Sequence, residues 1–401
     1  MLTQKDDELL GVANRSDAMG LLPVWSLRAR DLVPHLTEQT TSVRGFQLLV
    51  EIFRLWELYE PARPEHAGRL ADFFVLVEQA FARTIGWHDG EWPLPGARRV
   101  RARSSETPHI SLKDRDWHLL GGQKANGLWG LYRGASRRAG LLEDDMQRLS
   151  DATLAQATVH AGLGSVAQSR LFAAVKDAMD GHTVELPTHL KNSLPKDLRD
   201  TMWELPLAAH LEERLIDSHP LNQKIARRLL ERDLDHRAVL TDALVLEEHR
   251  STIEDVLRCE NLLSVVEAVF LWLCASKGAS VEGAVAGLPV DLDALGGARE
   301  RFGHSGHYGD GIAATRHTRL YEQLDTSSHV ELARSVLGLH EQVGRERKRA
   351  AWVWEEHDVL RSDVDVERPD EKAFQVGLAW RNDYYLYPLQ RIAEQLVEVR
   401  S

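Results

Sequence analysis

QKANGLWGLYRGASRRAGLLEDDMQRLSD, residues Gln123 to Asp151, is the stretch on which the reading of this chain turns. Leu128, Leu131, Tyr132, Ala135 and Ala139 recur at three- and four-residue intervals, which predicts one apolar face on a helix from Asn126 to Arg138. Arg133, Arg137 and Arg138 fall mainly on the opposite face, with Gly127 and Gly134. Asn126 is placed to cap the helix by accepting from a backbone amide, and Gly140 to end it in the left-handed conformation. Two leucines, a short acidic turn and a new helix follow. A short helix with an apolar back and a cationic front suits a duplex groove.

Charge sharpens that reading. The whole chain carries a formal charge of −12. Between Ala97 and Leu142, however, ten basic residues (Arg98, Arg99, Arg101, Arg103, Lys113, Arg115, Lys124, Arg133, Arg137 and Arg138) stand against only Glu106, Asp114 and Asp116. Phosphate contacts need a local patch rather than a positive total, so an acidic chain that concentrates cations in one segment is informative. The competing reading is a solvated arginine face balanced by acidic neighbours in the fold, and the sequence leaves both open.

With 401 residues the chain is long enough for two or three domains and a sizeable core. Cys259 and Cys274 lie fifteen apart on an apolar run and read as small buried hydrophobes in a reducing compartment, neither disulfide nor metal pair. The opening MLTQKDDELLGVANRSD lacks the features of a secretory signal. Leu262 to Ala275, the most apolar run, contains Glu267 and falls short of the roughly twenty residues a bilayer requires. A cytoplasmic protein with no membrane partner is the expectation.

The predicted fold class is mainly α. A tail and short helix (residues 1–36) precede a helical pair, Ser42 to Tyr59 and Ala67 to Ile85, each with apolar side chains at helical spacing. From Gly86 to Gly122 the periodicity is lost. This irregular segment, with a basic loop and an extended piece at His109 to Leu112, completes a region ending near residue 160. An irregular multi-helix domain is expected over 161–290, with helices including Ser165 to Met179, Pro195 to Trp203, Thr252 to Arg258 and Asn261 to Ala275. An extended piece, His182 to Leu186, interrupts them. In the last region, 291–401, a glycine-rich loop within Gly278 to Gly311 should lead to a long helix, Ser328 to Asp358. A strand at Val364 to Glu367 and a final helix broken at Pro388 follow. The basic run Arg345, Arg347, Lys348 and Arg349 reads as an exposed helix face paired with nearby glutamates.

Catalytic patterns are absent from the sequence. No serine sits in a glycine elbow, and GLWGLYRG lacks the lysine and hydroxyl residue of a nucleotide loop. His304, His307, Asp310 and His317 form the one cluster with metal-like spacing, a weak candidate for a metal-dependent nuclease that matches no known ligand signature. No cofactor is expected.

YRGASRRAGLLEDDMQRLSD resembles the recognition helix and wing of winged-helix proteins. The opening VWSLRARDLVPHLTEQTT, followed by aromatic helices, resembles accessory proteins of bacterial DNA-handling and phage-defence gene clusters. The resemblance covers about a third of the chain. It implies a winged-helix-like unit between the helical pair and the later helices, in a non-catalytic subunit that touches DNA beside partner subunits. Arg133, Arg137 and Arg138 on the helix, Arg98, Arg99, Arg101 and Arg103 on the loop, and Lys113 and Lys124 are the expected phosphate contacts. The alternative is a helical scaffold that binds only other proteins.

Overall fold

The computed structural model describes residues 17–89, 92–160, 163–186, 204–231, 235–306 and 308–400. It is mainly helical, 61% helix and 4% strand. Two compact units are each assembled from separated pieces of chain: Val33–Arg232 with Tyr385–Ser401, and Met1–Leu32 with Asp233–Tyr384. The expected boundary at residue 36 falls close to the division at Leu32–Val33, whereas the chain does not divide near 160 or 290. All of the net negative charge belongs to one of them. The Val33–Arg232 unit holds 28 Lys and Arg against 28 Asp and Glu, the other unit 21 against 33.

In the Val33–Arg232 unit, helices Val43–Tyr59 and Leu70–Asp89 form the predicted pair. Pro61 lies just past the end of the first, where its ring and missing N–H do not suit helix continuation. Aromatic rings lock the two together, with Phe53 5.9 Å from Phe74 and Tyr59 4.8 Å from Phe73 between ring centres. Arg54 and Glu51, both buried on Val43–Tyr59, satisfy each other in a two-pronged ion pair at 2.7 and 2.8 Å.

The central helix runs Leu128–Arg138, and its apolar face is the expected one except at one position: Leu128, Tyr132, Ala135 and Ala139 are buried, and Leu131 is half-buried. Tyr132 packs so closely on Gly45 that a methyl group there would lie 2.4 Å from the ring. Gly140 does take the left-handed conformation, φ 69°, and Leu141 N closes the helix end on Ser136 O at 2.9 Å. The start differs from expectation. Gln123–Asn126 is a separate turn of helix, and Gly127 interrupts. Asn126 donates to Gly121 O instead of capping, and the Leu128 amide donates to the Glu78 carboxylate at 2.9 Å. A side chain at Gly127 would meet Gln123 O at 2.7 Å and Glu78 Oε2 at 2.9 Å, so only glycine permits this approach. After the helix, Leu142 and Leu149 form a single antiparallel bridge around the acidic turn.

Two further differences concern extended chain. The pieces read as separate, His109–Ile110 and Val184–Glu185, pair with each other antiparallel. The basic run Arg98 to Arg101, read as loop, lies on a short helix, Ala97–Ala102, that buries Val100. Pro195 to Trp203 falls outside the described residues.

In the second unit the central element is Arg250–Ala275, 26 residues, where two shorter helices were expected. It carries Cys259 and Cys274 as buried free thiols. The glycine-rich segment is more ordered than its composition suggests. Ser280 and Asp291 cap the helices Val281–Val285 and Leu292–Gly303, accepting from Gly283 N and Ala294 N. Ser328 caps His329–Glu346 as its position implies, but that helix ends twelve residues before Asp358, and Lys348 just beyond it turns left-handed at φ 52°. Val353–Glu356 and Val359–Ser362 then make a hairpin, so the strand expected at Val364 to Glu367 lies earlier in the chain. Leu386–Arg400, the final helix, belongs to the first unit and accommodates Pro388 in its opening turn. Among the described residues no helix is long and apolar enough to cross a membrane.

Candidate nucleic-acid interface

The helix Leu70–Asp89 is largely apolar, yet Glu78, Gln79 and Arg83 are 1%, 0% and 3% exposed. Each holds a different part of the irregular segment that follows. Gln79 makes a two-way clasp with the Ser111 backbone, accepting from its amide at 2.9 Å and donating to its carbonyl at 3.1 Å. Arg83 donates to the carbonyls of Arg99 and Trp117 at 3.0 and 3.2 Å. Glu78 accepts from Leu128 N and from the Gln123 amide at 2.8 Å. Gln123 in turn accepts from Gln79 Nε2 at 3.2 Å and from Leu119 N at 3.1 Å. Buried peptide groups outside regular structure need such partners, and this helix supplies them.

Burial pushes the Glu78 carboxyl up to about 7, against the two hydrogen bonds that favour its charged form. Burial, then the neighbouring guanidinium groups of Arg103 and Arg99, bring Arg83 down to about 10. Trp117 is enclosed by cations and an imidazole: Arg103 lies 5.0 Å and Arg83 5.6 Å from its ring, His109 4.6 Å.

The segment so held surrounds a cleft of ≈ 880 Å³. Arg99 and Arg103 enter it from the Ala97–Ala102 helix and its end, Arg115 and His118 from the following loop, Lys124 from the helix Gln123–Asn126. Asp72 and Asp116 also line it. Asp72 is matched by Lys124 at 2.6 Å and Arg69 at 3.0 Å. Burial raises the Asp72 carboxyl, but hydrogen bonds from those two cations outweigh it and hold the group below the usual carboxylate range. Arg103 bridges Glu106 at 3.1 Å and Asp116 at 3.6 Å. Arg99 donates to His118 O at 3.3 Å, and Arg115 makes no ion pair with a described residue.

Of the nine sequence candidates, Arg99, Arg103 and Lys124 therefore meet at one cleft. Arg98, Arg101 and Lys113 are exposed on the same irregular segment. The helix cations are differently placed. Arg133 lies over the Trp129 ring at 4.1 Å, and Trp129, itself half-buried, stacks on Phe53 with ring centres 6.1 Å apart. Arg138 donates to the carbonyls of Pro34 and Leu36 at 2.6 and 3.3 Å, tying the helix end to the chain that precedes Val43–Tyr59. Arg137 is exposed. Arg115 was visible in the charge run, but its convergence on the cleft depends on the Gln79 and Arg83 clasps. The signal for those was a polar triplet inside an apolar helix.

For the histidine cluster in the other unit, His304 Nδ1 lies 2.7 Å from Glu300 O and His317 Nε2 2.9 Å from Phe302 O. The His317 ring stacks on Tyr308 at 4.1 Å. Asp310 is exposed, and His307 lies outside the described residues. No group of three or more potential metal ligands occurs among the described residues. Cys259 and Cys274 are pushed up to about 12 by burial, and the thiols are held neutral.

Comparison with protein-family models, curated proteins and solved structures finds no match to this chain. The geometry of the site itself carries the functional reading.

Proposed function

We propose that the Val33–Arg232 unit binds DNA through the basic cleft, as a non-catalytic accessory subunit of a DNA-handling or phage-defence complex. One observation carries this reading: Arg99, Arg103, Arg115 and Lys124, from three chain segments, face one cleft against two acids, both of which are already ion-paired. Exposed Arg98 and Arg101 extend the cationic surface along the adjoining helix. The helix Leu128–Arg138 and the bridged turn after it supply the order of elements on which the winged-helix likeness rests. Because Arg133 and Arg138 have internal roles, the cleft takes the main share of phosphate contact.

The test is the salt dependence of duplex binding. Contacts with phosphate release counterions, and log affinity should fall against log salt with a slope of about −0.9 per contact, near −3.6 for the four exposed arginines Arg98, Arg99, Arg101 and Arg115. Arg99→Glu with Arg115→Glu should flatten the slope by about two. A purified full chain that binds no duplex at about 50 mM salt removes the reading, leaving the protein-binding scaffold.

A further inference from the structure

The cleft has a feature that continuous backbone binding does not require: a partly apolar floor beneath its cations. Val75 is buried, and Leu112, Leu120 and His118 are half-buried, whereas Arg99 and Arg115 are exposed around them. The volume of ≈ 880 Å³ lies within the range of roughly 300–1,000 Å³ typical of sites that enclose a small molecule. A duplex presents charge along its length, every ~1.7 Å of axis, and is met by cations strung along a surface. Here the cations come from separate segments and converge. With Asp72 matched by Lys124 and Arg69, and Asp116 by Arg103, the side chains left to meet an added anion are Arg99 and Arg115.

From this we infer that the cleft encloses a single nucleoside monophosphate, its phosphate between Arg99 and Arg115 and its base and sugar over Leu112, Leu120 and His118. The inference rests on the proposal that this is a nucleic-acid site, and it specifies the recognised part as a phosphorylated strand end. The other source of the same chemistry is a free nucleotide. Trp117 is not the stacking platform, because His109, Arg83 and Arg103 already surround its ring.

Three probes against the full chain separate the outcomes: dAMP alone, a linear duplex carrying 5′-phosphates, and a covalently closed circle of the same sequence. The expected result is that dAMP binds, displaces the linear duplex, and that the circle binds about ten-fold or more weakly, a difference of about 1.4 kcal/mol. Arg115→Glu, at an exposed position, and Leu120→Trp, which fills the floor, should each weaken dAMP by about ten-fold or more. Folding of both variants is checked by their circular dichroism and melting. Binding of dAMP with no binding of either DNA would assign the free nucleotide and remove the DNA reading. Equal binding of circle and linear duplex, with no effect of dAMP, would overturn the inference and leave DNA binding intact. Binding of no probe would overturn both.

Discussion

Replacing Glu78 by glutamine should convert a pH-dependent segment into a pH-independent one. The Glu78 carboxyl ionises near 7 in the folded unit because burial opposes its charge, against an ordinary value of 4.5. The folded state therefore binds more protons than the unfolded state between these values. Stability from this group is fully present below pH 4.5 and is lost as pH rises through 7, by about 3 kcal/mol at roughly 1.4 kcal/mol per unit. Glu78→Gln has no such titration but carries a fixed penalty. Its amide would bring a donor against Gln123 Nε2, and turning the Gln123 amide over would oppose it to Leu119 N and Gln79 Nε2, both of which donate to its oxygen. One buried donor stays unmatched either way, costing about 1–3 kcal/mol. The variant should thus be less stable than the wild type at pH 5 and equal or more stable at pH 8. Hydrogen exchange of the Leu128–Arg138 amides, corrected for intrinsic rates, measures this locally, since Leu128 N bonds directly to the carboxylate. Opening free energies that stay parallel within about 0.5 kcal/mol across that range would refute the reasoning.

Three further outcomes follow from packing and burial. Gly45→Ala should cost about 1–3 kcal/mol in denaturant unfolding, because its methyl would lie 2.4 Å from Tyr132. Gly134→Ala, on the helix Leu128–Arg138 with only Arg138 Nη1 nearby at 3.6 Å, should instead stabilise by about 0.5–1 kcal/mol. Equal effects would show that the close approach at Gly45 has no energetic weight. Glu260→Ala should destabilise the other unit by about 3 kcal/mol or more, seen as earlier thermal unfolding, because the carboxylate receives Arg381 N, Asn382 N and Asn382 Nδ2. Cys259 and Cys274 should resist iodoacetamide at pH 8 in native protein and react once it is unfolded, as both thiols are buried and held neutral to about 12. Rapid native alkylation, measured by mass, would contradict that placement.

What the sequence made legible was local and periodic. The three-and-four spacing oriented Leu128–Arg138, Gly140 marked its end, and Ser328 marked the start of His329–Glu346, because each depends on a few adjacent residues. The hairpin after His329–Glu346 was hidden because His357 and Asp358 make its left-handed turn without glycine. Arg250–Ala275 read as two helices because a charged residue, Glu260, stands among its apolar positions. The residues that explain it, Arg381 and Asn382, lie more than a hundred positions away. The discontinuous units were equally out of reach, since nothing local joins Tyr385–Ser401 to Val33–Arg232. Charge located the candidate interface, but the sequence could not say that Arg99, Arg115 and Lys124 converge while Arg138 supports the carbonyls of Pro34 and Leu36.

That division has a physical origin. An irregular segment cannot satisfy its own peptide groups as a helix does, so any part of it that packs against a core must find side-chain partners there. Glu78, Gln79 and Arg83 supply them from a helix otherwise built for burial, reaching Leu128 N, both polar atoms of the Ser111 backbone, and the carbonyls of Arg99 and Trp117. An apolar replacement at these positions would still favour the helix but would leave those groups unpaired, and the cations that they carry would lose their common orientation. The exposed arginines of the cleft and the buried polar residues beside it are therefore parts of one device, in which the second fix the backbone that carries the first.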